Sequence, residues 1–160
     1  MAKLFISGIP GTGKTTVAEH LAQHFGYQHI DMEADSFRAR RELANDAEGF
    51  LGKLAATENV VISWGFSPFI DRPGVDQLLS GGYTMVWLDG DHVASLRNFL
   101  AREKNDPHHE ANYYGQMQMI ISTELVERLQ PICVNPFQNG QFRPVEEIVS
   151  EVIAKTTEQL

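Results

Sequence analysis

The chain has 160 residues, 42% of them apolar, and a net charge of 13 − 21 = −8. This is the length of one domain with its own core, and the charge disfavours long nucleic acid as a partner. No apolar run reaches membrane-spanning length, and a single cysteine, Cys133, excludes an intrachain disulfide. MAKLFISG leads straight into an expected strand, so no leader peptide is expected and the expected compartment is the cytoplasm.

The first expected strand is KLFIS, residues 3–7. GIPGTGKTT follows, from Gly8 to Thr16, in the pattern G-x-x-x-x-G-K-[ST]. A helix is expected over 14–25, with Val17, Ala18, Leu21, Ala22 and Phe25 on its inner face. Strand, glycine loop and helix in that order are the context that makes the pattern a P-loop. Gly8, Gly11 and Gly13 let the backbone curl so that successive N–H groups point inward. Those donors, with Thr12, Thr16 and the helix N-terminus, suit phosphate oxygens. Lys14 suits the β- and γ-phosphates, and the Thr15 hydroxyl suits Mg²⁺. A chance glycine turn is disfavoured because motif and flanking elements agree. The expected ligand is a nucleoside triphosphate, taken as ATP.

A short strand is expected at 28–32, and DMEAD follows it. Asp31 is the candidate Mg²⁺ ligand or proton acceptor, with Glu33 second. Asp35 fits equally well as an N-cap. Helices are expected over 34–44 and 45–57, the latter with Asn45 and Glu48 at capping-box spacing. The run RARR, with Arg38, Arg40 and Arg41, is the chain's basic cluster and points to an anionic acceptor at residues 36–56. The third strand, 59–64, ends on Trp64, where many P-loop proteins carry a metal-binding aspartate. A short helix at 75–80 and a strand at 83–89 come next.

Residues 91–104 read as an amphipathic helix with Val93, Leu96, Phe99 and Leu100 inward, and Asp89 and Asp91 as caps. Arg97 and Arg102 lie on it and lead into KNDPHHEAN, a polar segment suited to a lid over 103–115. His108, His109 and Glu110 do not form a zinc pattern, because adjacent histidines point apart. One helix is expected over 113–130, with Tyr113 and Tyr114 packing at its start. A strand at 132–135, with Cys133 buried, and a closing helix at 144–157 complete the chain. Strands alternating with helices predict a parallel sheet covered on both faces. Ligands then bind beyond the carboxyl ends of the strands.

In element order the chain resembles the small P-loop kinases: the nucleoside monophosphate kinases, shikimate kinase and gluconate kinase. GIPGTGKTT looks like their P-loop, and IDMEAD sits where shikimate- and gluconate-kinase-like proteins carry D-x-D. SWGFSPFIDR is similar to the D-G-F-P-R stretch of adenylate kinases, with Trp64 in place of the aspartate and the arginine late, as Arg72. VWLDGD with Arg97 and Arg102 resembles the family's fourth strand and lid arginines. The resemblance implies an α/β fold, a P-loop NTPase three-layer αβα sandwich on a five-stranded parallel sheet. It implies Asp31 near Mg²⁺, Glu33 near the acceptor, and backbone groups of 132–136 near the base.

The expectation is therefore one domain, 1–160, catalysing phosphoryl transfer from ATP to a small acceptor, as monomer or homodimer. Lys14 and the loop hold phosphate, Asp31 serves metal or proton, Arg38 and Arg72 hold an anionic group, and Arg102 with Arg97 closes from the lid. The rival reading is a nucleotide-binding switch or slow NTPase, favoured by the missing carboxylate at Trp64. A kinase acting on nucleic-acid ends is disfavoured by the net charge of −8.

Overall fold

The structure, a computed structural model, describes residues 2–104 and 106–158. Met1, Gln159 and Leu160 of the expected domain, and Asn105 of the expected lid, lie outside the described residues. The strands are β1 (Ala2–Gly8), β2 (Gln28–Asp31), β3 (Asn59–Ser63), β4 (Thr84–Leu88), β5 (Ile132–Val134), β6 (Phe137–Gln138) and β7 (Gln141–Phe142). The helices are α1 (Lys14–Phe25), α2 (Ala34–Asn45), α3 (Ala47–Ala55), α4 (Arg72–Ser80), α5 (His92–Arg102), α6 (His109–Ser122), α7 (Leu125–Leu129) and α8 (Val145–Thr157).

Five strands form one sheet in the order β2-β3-β1-β4-β5, every pair parallel. Alternation along each strand sorts the core into two layers. Leu4, Ile6, Val61, Val86 and Leu88 pack with α1 and α8 on one face. Phe5, Val60, Ile62, Met85 and Trp87 pack with side chains of α2 to α7 on the other. The fold is the expected three-layer αβα sandwich. Central β1 is bonded on both sides, with Ile6 level with Ser63 and Gly8 level with Leu88. The loop after β1 therefore opens between the ends of β3 and β4, at the sheet's carboxyl edge.

Several local expectations need correction. Asp46, not Asn45, caps α3: its Oδ1 accepts from Gly49 N at 3.0 Å. Asp91 caps α5 by accepting from Ala94 N, but Asp89 instead accepts from Gly90 N and Trp87 Nε1. Phe25 and Val93 are exposed, being at the edges of their helical stripes. Cys133 lies in the edge strand β5, on the face opposite buried Val134, and is exposed. The helix expected over 113–130 begins at His109 and breaks at Glu124, whose φ of 52° is left-handed. Most of the expected lid is thus α6.

Asp35 does not cap α2. Asp35, Ser36 and Phe37 take φ of 52°, 57° and 62°, a left-handed turn inside the element. Such residues resist this geometry, at roughly 1 kcal/mol each or more. The turn brings Phe37 to the cavity described below. The antiparallel pair β6–β7 also went unexpected, although its two turn residues, Asn139 and Gly140, are the Asn-Gly signal for a tight hairpin.

Candidate active site

The loop between β1 and α1 is shaped from within. Thr12 Oγ1 donates to the Ile9 carbonyl at 2.8 Å, and Lys14 Nζ donates to the same oxygen at 2.9 Å. Gly11 has φ of 77°, and a Cβ there would stand 2.2 Å from the Ser95 carbonyl, so α5 packs directly on the loop. Asn98 Nδ2 ties the two together by donating to the Gly11 carbonyl at 3.0 Å. Gly13, left-handed with φ of 78°, starts α1, and neither a side-chain cap nor an acidic residue in the first turn satisfies that helix end. The first-turn N–H groups of a helix have no internal acceptor. Here they face a cavity of about 650 Å³ lined by Gly13, Lys14, Thr15 and Thr16. An uncapped helix end beside a partly buried cation is an arrangement that suits an anion.

Burial pushes the Lys14 ammonium down from 10.5 to about 8; Glu33 pulls it up and Arg102 pushes it further down. Without an anion beside it, this cation is poorly solvated.

Asp31 and Glu33, from the end of β2, line the same cavity. Asp31 Oδ1 accepts from Glu33 N at 2.9 Å, and Glu33 Oε1 accepts from Gly65 N at 3.1 Å. Each carboxylate is thereby fixed by backbone. Below them His29 Nε2 and Ser63 Oγ are 2.7 Å apart, joining β2 to β3. Burial lowers the His29 pKa against the pull of Asp31 and Glu19. Trp64 lines the cavity but is almost wholly buried. Its ring is 3% exposed, with centroids 6.1 Å from Phe5 and 5.7 Å from Phe66. The backbone there still serves the site, since Ser7 Oγ donates to the Trp64 carbonyl at 2.6 Å.

The opposite wall comes from α5 and α6. Arg102 lines the cavity, 5.6 Å over the Phe99 ring and 3.5 Å from Glu103. Arg97 does not line it; its Nη1 donates to the Gly140 carbonyl at 3.5 Å, on the β6–β7 hairpin. Arg38 and Arg72 are not among the lining residues either. Each is bound by an acid one turn along its own helix, Glu42 at 3.3 Å and Asp76 at 3.0 Å. Sequence reading missed Phe37, Glu103, Asp106, Asn112, Gln116 and Met119, all at the cavity. The signal for the last three was their spacing, which puts them on one stripe of α6.

A second, smaller hollow of about 190 Å³ adjoins the loop between Thr12, Thr16, Phe142 and Ile148. The Phe142 ring stacks on Phe137 at 4.8 Å.

The glycine loop thus lies at the sheet's carboxyl edge, with Asp31 and Glu33 beside it and residues of α5 and α6 opposite. The sequence profile of a family described as an AAA domain matches residues 7–62, from the P-loop to β3. Among solved structures, the fold is similar to a gluconokinase from Sinorhizobium meliloti 1021, with TM-score 0.63 and 22% identity over 99% of this chain and 93% of that one. It is similar to a shikimate kinase from Acinetobacter baumannii in complex with shikimate, with TM-score 0.69 and 16% identity over 99% and 94%. It is also similar to the YorR protein of Bacillus subtilis in complex with phosphorylated GDP, with TM-score 0.64 and 17% identity over 98% and 97%. The chain has the fold of the small P-loop kinases and carries a divergent sequence on it.

Proposed function

We infer that the protein is an ATP-dependent phosphotransferase that acts on a small hydroxyl- or phosphate-bearing acceptor. The observation that carries this reading is the continuity of one cavity from the uncapped N-terminus of α1 and Lys14 to Asp31 and Glu33. Donor phosphate and acceptor then share one enclosure, which an NTPase without an acceptor does not need.

The loop amides and Lys14 hold the β- and γ-phosphates. The base lies at the Phe142 hollow, beside the loop. Thr15 would hold Mg²⁺, and Asp31, also at the cavity, would reach it only through a water, which leaves its carboxylate able to accept a proton. When bound, the metal neutralises charge between the β- and γ-phosphates. Among the described residues no group of three or more His, Cys, Asp and Glu side chains converges on a metal position. The acceptor hydroxyl oxygen forms a bond to the γ-phosphorus, the bond to the bridging oxygen breaks, and ADP leaves. The hydroxyl proton passes to Asp31. Arg102 offsets charge on the transferring group. Among the described residues no helix is long and apolar enough to cross a membrane, and the reading requires none.

The test is ADP release from Mg-ATP with and without candidate acceptors. Acceptor-dependent release, lost in Lys14→Ala, is the expected result. A slow release indifferent to every acceptor would favour the nucleotide switch instead, a reading motivated by the carboxylate-free end of β3 at Trp64.

A further inference from the structure

We propose that the acceptor is an uncharged or cationic hydroxyl compound with an apolar or planar part, not the anionic acceptor that the arginine run suggests. This rests on the phosphotransferase reading.

The charges at the cavity decide the point. Among its described lining residues the lysines and arginines are two, Lys14 and Arg102, against four carboxylates, Asp31, Glu33, Glu103 and Asp106. Lys14 lies in the phosphate loop. Arg102 lies beside Glu103 at 3.5 Å. The walls therefore carry two more negative than positive groups before the triphosphate enters. A carboxylate or phosphate on the acceptor would meet a net negative wall whose one cation outside the phosphate loop, among the described lining residues, is Arg102, already beside Glu103.

The other arginines lie away from this cavity: Arg41 lines a separate hollow with Arg40, and Arg38 is held by Glu42 and Arg72 by Asp76. Arg40 bonds Asp71 at 2.7 Å, and its guanidinium lies 5.7 Å from the Phe37 ring centre. Asp71 also accepts from Ser67 N at 2.8 Å. This chain of contacts braces α2 against the segment after β3 and supports Phe37 at the cavity. The basic run thus builds an aromatic wall rather than an anion site. Phe37 keeps 46% of its surface exposed, as a free ring would be for a stacking or apolar partner.

The remaining wall suits hydroxyl and amino groups. Asn112 and Gln116, one turn apart on α6, each offer amide donors and an acceptor. Glu103 and Asp106 accept from hydroxyl or ammonium. In the transfer, one acceptor O–H becomes O–P as the γ-phosphoryl leaves ADP, and the proton goes to Asp31.

Matched pairs isolate the charge: uridine against uridine 5′-monophosphate, glucose against glucose 6-phosphate, and glucosamine against gluconate. Each is incubated with the full chain and Mg-ATP, with ADP release and the mass of the phosphorylated product as readouts. The expected result is transfer to the uncharged or cationic member, with kcat/KM at least about 100-fold above its anionic counterpart, since like-charge juxtaposition costs several kcal/mol. For the best acceptor, Phe37→Ala should raise the acceptor KM roughly tenfold and leave the ATP KM within about twofold. Preferred transfer to the anionic members would overturn the inference and leave the phosphotransferase reading standing. Phosphate released to water alone, with no product in any pair, would overturn both.

Discussion

The two ends of the cavity are built in opposite ways. The proposed phosphate end is nine consecutive residues, Gly8–Thr16, which bring together the loop backbone, the N-terminus of α1 and Lys14. The proposed acceptor end is a mosaic of Asp31 from the end of β2, Glu33 from just after it, Phe37 from α2, Arg102 from α5 and Asn112 from α6. The first is set by local geometry and tolerates little change; a Cβ on Gly11 already collides with the Ser95 carbonyl at 2.2 Å. The second is side chains on a scaffold, which can change without disturbing the loop. One fold can therefore keep its donor and diversify its acceptor.

Changes at the phosphate end should be the most severe. Lys14→Ala is expected to slow transfer on the order of 10²- to 10³-fold, as loss of one preorganised charge donor does. The fold should survive, because a desolvated cation adds little to stability. Steady-state kinetics with circular dichroism checks both, and near-normal turnover would remove Lys14 from the site. At the junction of the two ends, Asp31→Asn should lower kcat about 100-fold while the ATP KM moves less than about threefold. Equal losses in both would make Asp31 a binding residue only.

Phe142→Ala tests the donor end away from the chemistry. It should raise the ATP KM roughly tenfold, about 1.4 kcal/mol, with kcat little changed. An unchanged KM would move the base away from that hollow.

The smallest effect is in pH. Lys14 titrates at about 8 in the free protein, held down by burial. Bound phosphate raises that value, so nucleotide binding should take up a proton above pH 8 and weaken by at most about tenfold per pH unit there. The sign for folding is opposite. The unfolded chain holds the proton up to 10.5, so the ligand-free fold gains stability as pH rises from about 8 towards 10.5. Calorimetry in buffers of different ionisation enthalpy measures the uptake, and none above pH 8 would contradict the assignment.

The same contrast explains what the sequence disclosed. Gly8–Thr16 and the order of strands were legible because each rests on neighbours in the chain: a spacing, an apolar alternation, a helix stripe. The place of Asp31 and Glu33 at the cavity was legible because Asp31 ends a strand and Glu33 follows it by two residues. The arginines misled because charge alone does not show where a side chain lands; the partners of Arg38 and Arg72 lie one turn away on their own helices. Phe37 was hidden by a left-handed turn that runs against the preference of Asp35, Ser36 and Phe37. The hairpin at Asn139 and Gly140 carried a readable signal that strand length obscured, since each strand has two residues.

Transfer to an acceptor can be followed through the γ-phosphoryl group of labelled ATP. A phosphotransferase puts label into an acceptor ester in step with ADP, at a rate at least about 100-fold lower with Lys14→Ala. Label appearing only as inorganic phosphate, at one slow rate whatever acceptor is supplied, would contradict the phosphotransferase reading.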